Sequence, residues 1–141
     1  MDSSALIKLY ILEPHSGAVG RFVSALTSAL PFSPLHELEM TNALMRKVFR
    51  KEISRAKAIA ALRMIEDDVK QGLLRKLAVD WDAVFQRAGE LSLLNSGKLG
   101  CRSMDILHVS CALVLGYPRF FTLDASQEAL AGRAGLQILN S

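Results

Sequence analysis

The chain has 141 residues, of which 50% are hydrophobic and 22% charged, with a formal net charge of +3. That length sustains one domain that buries roughly 70% of its extended-chain surface, and so apolar a composition excludes a disordered chain. No apolar run reaches the ~18 residues of a membrane span, the acid at Asp2 stands where a signal peptide would carry basic residues, and a cytoplasmic protein with an anionic partner fits the charge.

After Asp2, the residues Leu6, Ile7, Leu9, Tyr10 and Ile11 give a helical apolar face that Pro14 ends. A second amphipathic helix is predicted over residues 16–30, with Val19, Phe22, Val23 and Leu26 on its apolar side. Residues 30–33 form a short extended piece, held open by Pro31 and Pro34. A long helix follows over residues 35–51, with Leu38, Leu44, Met45, Val48 and Phe49 facing inwards and Arg46, Lys47, Arg50 and Lys51 crowding its end. Ser54 caps the next helix, residues 55–71, which Gly72 closes. Residues 73–79 read as a strand. Asp80 or Asp82 then begins a helix through Val84, Phe85, Ala88, Leu91 and Leu94, ending at Asn95-Ser96-Gly97.

Residues 102–124 carry the most information. Ile106, Val109 and Leu113, with Leu107, Ala112 and Leu115, recur at helical spacing. Asp105 lies in the first turn, where the helix dipole favours a carboxylate, and Gly116 and Pro118 stop the helix. The apolar run at Phe120, Phe121, Thr122 and Leu123 is too short for a helix and reads as a buried strand. Asp124 emerges at its carboxyl end, where open α/β sheets place their ligands. Ser126 is expected to cap a short helix to Gly132, and residues 136–139 to form a last strand. The alternation predicts an α/β protein, a parallel central sheet with helices on its faces, in a single domain over residues 1–141. Cys101 and Cys111 lie too far apart along one helix to bond each other and read as buried thiols in a reducing compartment.

Four carboxylates, Asp2, Glu39, Asp105 and Asp124, fall where this topology would gather them. Unpaired, they would repel one another and destabilise the fold. A hard divalent cation, Mg²⁺ or Mn²⁺, relieves the repulsion with oxygen ligands and can both acidify a bound water and stabilise charge on a phosphate. Each acid alone reads as a cap or a solvated side chain; their joint placement favours a metal site.

Together, DSSALIKLY from Asp2, ELEMTNAL over residues 37–44, RSMDILHVSCAL over residues 102–113 and FFTLD over residues 120–124 resemble the motifs of PIN-domain ribonucleases, in particular VapC-type toxins of toxin–antitoxin pairs. The resemblance runs essentially the full length of the chain, and its D-I-L-H and T-x-D motifs are more specific than the glutamate motif. It implies a three-layer α/β/α PIN-like fold and a Mg²⁺- or Mn²⁺-dependent endoribonuclease that hydrolyses single-stranded regions of RNA. By motif match, Asp2, Glu39, Asp105 and Asp124 become the catalytic and metal-binding residues; Glu37 competes for the second position, and Ser4 and Thr122 match positions that orient the acids. The implied partners are an RNA substrate, a cognate VapB-like antitoxin lying across the active groove, and a second copy of the chain in a homodimer. The family has an apolar strand before its first acid, whereas only Met1 precedes Asp2. The first strand is therefore expected to be truncated and metal binding to be weakened, and the alternative is a catalytically impaired PIN-like module that acts mainly in antitoxin binding.

Arg46, Lys47, Arg50, Lys51, Arg55 and Lys57 form a basic cluster interrupted by Glu52. It reads either as a track for an RNA backbone, with affinity that falls steeply with salt, or as the solvated end of a helical hairpin. Phe49 alone offers no stacking platform. His36-Glu37-Leu38-Glu39 has Met40 where a zinc protease needs its second histidine, and His108 with Cys111 makes only half a zinc site. Gly97-Lys98-Leu99-Gly100 is not a phosphate loop, no G-x-S-x-G elbow exists, and a receiver-type domain would need an acid pair and a late lysine that are not placed here.

Overall fold

Short segments between the helices become strands of only three residues, and longer amphipathic segments become the helices. The computed structural model describes residues 1–139. Its strands pair in parallel and alternate with helices, so the chain is α/β. Its described residues divide into two compact units: Ser3–Leu77, and Met1–Asp2 together with residues 78–139. In place of one continuous sheet, the described strands form two parallel pairs, one in each unit.

In the Ser3–Leu77 unit, α1 (Ser3–Leu6) runs into a 3-10 turn (Ile7–Leu9), followed by α2 (Ser16–Ser24), β1 (Leu30–Phe32), α3 (Pro34–Phe49), α4 (Arg55–Lys70) and β2 (Leu74–Lys76). Leu30 lies opposite Leu74 and Phe32 opposite Lys76 in the β1–β2 pair. The helix expected to continue to Pro14 ends early, where the Tyr10 hydroxyl donates to the Asp68 carboxylate of α4 at 2.7 Å. The second helix stops at Ser24, whose hydroxyl donates back to the Gly20 carbonyl at 2.8 Å, a bond that weakens helical ends. At the start of α3, Ser33 and His36 form a capping box in which the imidazole Nδ1 accepts the Ser33 N–H at 3.0 Å. The inward face of α3 is His36, Met40 and Leu44 at four-residue spacing. Leu38 (66% exposed) and Phe49 (86% exposed), expected in the core, point outwards, because that stripe turns them to the far side of the helix. Ser54 caps α4 as expected, accepting the Lys57 N–H at 3.1 Å, and Gly72 takes the positive φ of 78° that ends it.

The second unit contains α5 (Trp81–Leu99), α6 (Ser103–Val114), β3 (Arg119–Phe121), α7 (Ala125–Arg133) and β4 (Gln137–Leu139). Asp80 caps α5 by accepting the Ala83 N–H at 3.1 Å. The helix runs through Asn95-Ser96-Gly97, where buried Asn95 donates its amide to the Leu91 carbonyl at 3.0 Å, and it ends at Gly100 with φ 62°. Val84, Ala88 and Leu91 are buried, whereas Phe85 and Leu94 are exposed. α6 packs on α5, and every residue from Asp105 to Cys111 is buried, the pattern of a helix enclosed on all sides. Arg119 pairs with Gln137 and Phe121 with Leu139 across β3 and β4. Asp124, not Ser126, caps α7, its carboxylate accepting the Gln127 N–H at 2.9 Å. Where a first strand was expected, the Asp2 N–H donates to the Phe121 carbonyl of β3 at 3.1 Å.

Cys111 is buried and Cys101 half-buried, both as free thiols. Burial pushes both thiols up, and the Asp105 charge adds to this at Cys101, so both stay protonated and unreactive at neutral pH. Among the described residues no helix is long and apolar enough to cross a membrane.

Candidate functional site

In the unit that joins Met1–Asp2 to the second half of the chain, three of the four acids belong to one polar network. Asp2 is buried (4% exposed), and its carboxylate accepts the Thr122 hydroxyl at 3.3 Å. The same hydroxyl oxygen accepts the Asp124 N–H at 3.0 Å, so Thr122 at the end of β3 links both acids. Asp124 uses Oδ1 to cap α7 and turns Oδ2 towards Arg102 Nη2 at 3.3 Å. Arg102 occupies the N-cap position of α6 with extended backbone. From there its Nε donates to Asp105 Oδ2 at 2.8 Å and its Nη2 lies 3.4 Å from Asp105 Oδ1. One guanidinium thus serves carboxylates from two elements, one of them 22 residues away in the chain.

The local sequence accounts for these positions. The extended residue before a helix aims its side chain along the first turn, which brings Arg102 onto Asp105 three residues on. Asp105 itself is buried in that first turn, where the helix dipole favours its charge. Below the network, Gln127 is completely buried. Its Nε2 donates to the Asp105 carbonyl at 3.4 Å, and its Oε1 has no hydrogen-bond partner among the described residues.

Glu39 lies in the other unit, on α3, half-buried, and accepts the Ser3 hydroxyl of α1 at 3.0 Å. Glu37, its competitor, is exposed and faces Lys76 at 3.7 Å. Ser3, a residue the motif match did not single out, thus places a hydroxyl at the glutamate. Sequence reasoning passed over Ser3, Arg102 and Gln127. A cation three residues before an acid at a helix start was a readable signal for Arg102; the buried amide of Gln127 gave none.

Carboxylate and hydroxyl oxygens are the donors a hard divalent cation prefers. The all-oxygen donors of the Asp2, Asp105 and Asp124 set therefore suit Mg²⁺ or Mn²⁺ better than zinc. The arrangement itself is looser. Among the described residues no group of three or more His, Cys, Asp or Glu side chains is gathered closely enough to hold a metal ion, and the cation between Asp105 and Asp124 is Arg102. Comparison with models of known protein families gives no match to this chain, and comparison with curated proteins gives none either.

Proposed function

We propose that this chain is a metal-dependent endoribonuclease of the PIN, VapC-like type, with a three-layer α/β/α fold, that cleaves single-stranded regions of RNA. The observation that carries this reading is the network running from Asp2 through Thr122, Asp124 and Arg102 to Asp105. It ties three acids, remote along the chain, into one connected set in which the repulsion between carboxylates is already relieved by a cation. The four sequence motifs supply the rest of the argument, with Glu39 as the fourth acid that the resemblance assigns.

In this reading Asp2, Asp105 and Asp124 hold Mg²⁺ or Mn²⁺. When bound, such an ion supplies a water of lowered pKa and stabilises charge developing on a phosphate. The chain's own residues do the positioning. Thr122 fixes the orientation of Asp2, the α7 cap fixes one oxygen of Asp124, and the exposed Arg102 guanidinium (74% of its side chain accessible) balances the charge of Asp105 and Asp124 while remaining able to turn into solvent. A proton released during hydrolysis would pass to a carboxylate of this set. An antitoxin and a second copy of the chain are the protein partners this reading carries.

The test is cleavage of a single-stranded RNA in Mg²⁺ with and without EDTA, for the wild type and for Asp105→Asn. Cleavage that needs the metal and disappears in the variant is the expected result; a variant that cleaves at the wild-type rate removes Asp105 from the site. The guanidinium standing between two of the acids favours a second reading, a catalytically impaired module that serves in antitoxin binding. Absence of cleavage by a folded wild-type protein would select it.

A further inference from the structure

The Ser3–Leu77 unit has an open cleft of about 240 Å³ between the N-terminal helical turns and the last turns of α3. Lys8, Arg46, Lys47 and Arg50 line it, against the single carboxylate of Glu13. Lys8 Nζ meets Glu13 at 2.9 Å, and Lys47 meets the other Glu13 oxygen. Glu13 therefore clamps two ammonium groups side by side that would otherwise repel each other. Burial alone would push the Glu13 carboxyl up, but the Lys47 and Lys8 ammoniums hold it below the usual carboxylate range. Its hydrogen bond, working against burial, holds Lys47 above the ordinary lysine value. Both groups are charged at neutral pH. Arg50 also meets Glu52, which does not line the cleft, at 2.7 Å. Counting Glu52 as well, an excess of two positive charges remains. Arg46 is exposed, and no side-chain hydrogen bond or ion pair engages it among the described residues.

Cations at a helix carboxyl end are favoured by the dipole, but that does not explain Lys8, which comes from a different element, or an arginine left without a partner. Arg46 and Arg50 are four residues apart and so share one face of α3. Their planar forks match phosphate oxygens in a way that a solvated surface charge does not require. No aromatic side chain lines the cleft, so it has no platform on which to stack a base. We infer that this cleft binds a backbone phosphate of single-stranded RNA, gripping the strand without reading its sequence. The inference rests on the ribonuclease reading, since it takes the RNA of that reaction as its occupant.

The experiment measures fluorescence anisotropy of a labelled oligouridylate of about ten nucleotides in EDTA, across a salt series. The proteins are wild type, Arg46→Gln, Arg46→Gln/Arg50→Gln, and the control Arg63→Gln, which removes the same charge from an exposed position on α4. The slope of log affinity against log salt should shrink by about 0.7 for each phosphate that the cleft no longer neutralises. That is equivalent to roughly 2.5-fold less change in affinity per phosphate between about 50 and 200 mM salt. The control should keep the wild-type slope. Unchanged slopes in the cleft variants, or an equal change in Arg63→Gln, would overturn the inference. So would a double variant that loses affinity for oligoglutamate but not for RNA, because the cleft would then be a site for an acidic peptide. Metal-dependent cleavage by a wild type whose cleft variants bind RNA normally would sink the cleft alone. RNA binding that depends on the cleft, with cleavage indifferent to Asp105→Asn, would sink the nuclease reading alone.

Discussion

Arg102→Gln separates a structural ion pair from a stand-in for a metal. The bonds it removes include a short charge-assisted one (Nε to Asp105 at 2.8 Å) and two long ones (3.4 Å to Asp105 and 3.3 Å to Asp124). Three facts set the magnitude. The Arg102 side chain is 74% accessible, so water already screens it, and exposed pairs contribute about 0–1 kcal/mol. The Asp105 side chain, by contrast, is only 12% accessible, and losing a partner there costs more. Against this, Asp105 keeps its place at the α6 N-terminus, where the dipole stabilises it by about 0.3–1 kcal/mol. The net loss is about 1 kcal/mol, which for a chain of this length is a fall in Tm of about 3 °C. Differential scanning calorimetry without metal reads this value. Repeating the scan with excess Mn²⁺ should reverse the order. The variant, with both carboxylates released, should gain more in Tm than the wild type, because stabilisation by a ligand grows with its affinity for the folded state. A fall of ten degrees or more would mean that the guanidinium is an obligatory buried counter-ion. An equal Mn²⁺ shift in both proteins would mean that Arg102 does not stand in the cation's place.

Thr122→Val keeps the shape of a buried side chain but removes the hydroxyl between Asp2 and Asp124. The Asp124 N–H loses its acceptor, so destabilisation of about 1–3 kcal/mol is expected in urea unfolding, and a loss within a few tenths would mean that the linkage is not formed. Glu13 carries a predicted pH dependence. Its folded pKa is lowered, so its pairs with Lys8 and Lys47 stabilise the fold above the ordinary glutamate value of about 4.5 and fade as pH falls through the lowered folded value. Glu13→Gln should cost about 1 kcal/mol at neutral pH and should flatten the stability curve below pH 4.5; an acid limb identical to that of the wild type would contradict this. Leu44→Ala removes a fully buried side chain from the α3 stripe and should cost about 2–5 kcal/mol, whereas Phe49→Ala, at a position 86% exposed, should stay within about 0.5 kcal/mol.

The parts of the fold that could be read in advance are those set by local chemistry. Ser54 and Asp80 cap their helices, Gly72 ends one, and the short apolar run after Pro118 becomes a strand. What could not be read depends on residues distant in sequence. The first helix breaks at a bond from Tyr10 to Asp68, 58 residues away. The inward face of α3 is set by His36, Met40 and Leu44, so hydrophobicity alone misassigned Leu38 and Phe49. Asp124 was legible as an acid at a strand end, but its double task, capping α7 and facing Arg102, needed the register of α7 to be known. The link from Thr122 to Asp2 spans 120 residues; only the motif resemblance, not the residues themselves, gave Thr122 a role beforehand. Strands of three residues carry too short a pattern to specify which neighbour they pair with, and the two separate parallel pairs were not foreseen.

The proposed function requires Asp2, Asp105 and Asp124 to share one divalent cation. Calorimetric titration of Mn²⁺ into the wild type, Asp105→Asn and Arg102→Gln tests it most directly, because the signal does not depend on any substrate. Saturable binding to the wild type, tighter binding to Arg102→Gln and loss of binding in Asp105→Asn are the predicted results. Three superimposable titrations, with the same weak heats from each protein, would contradict the claim.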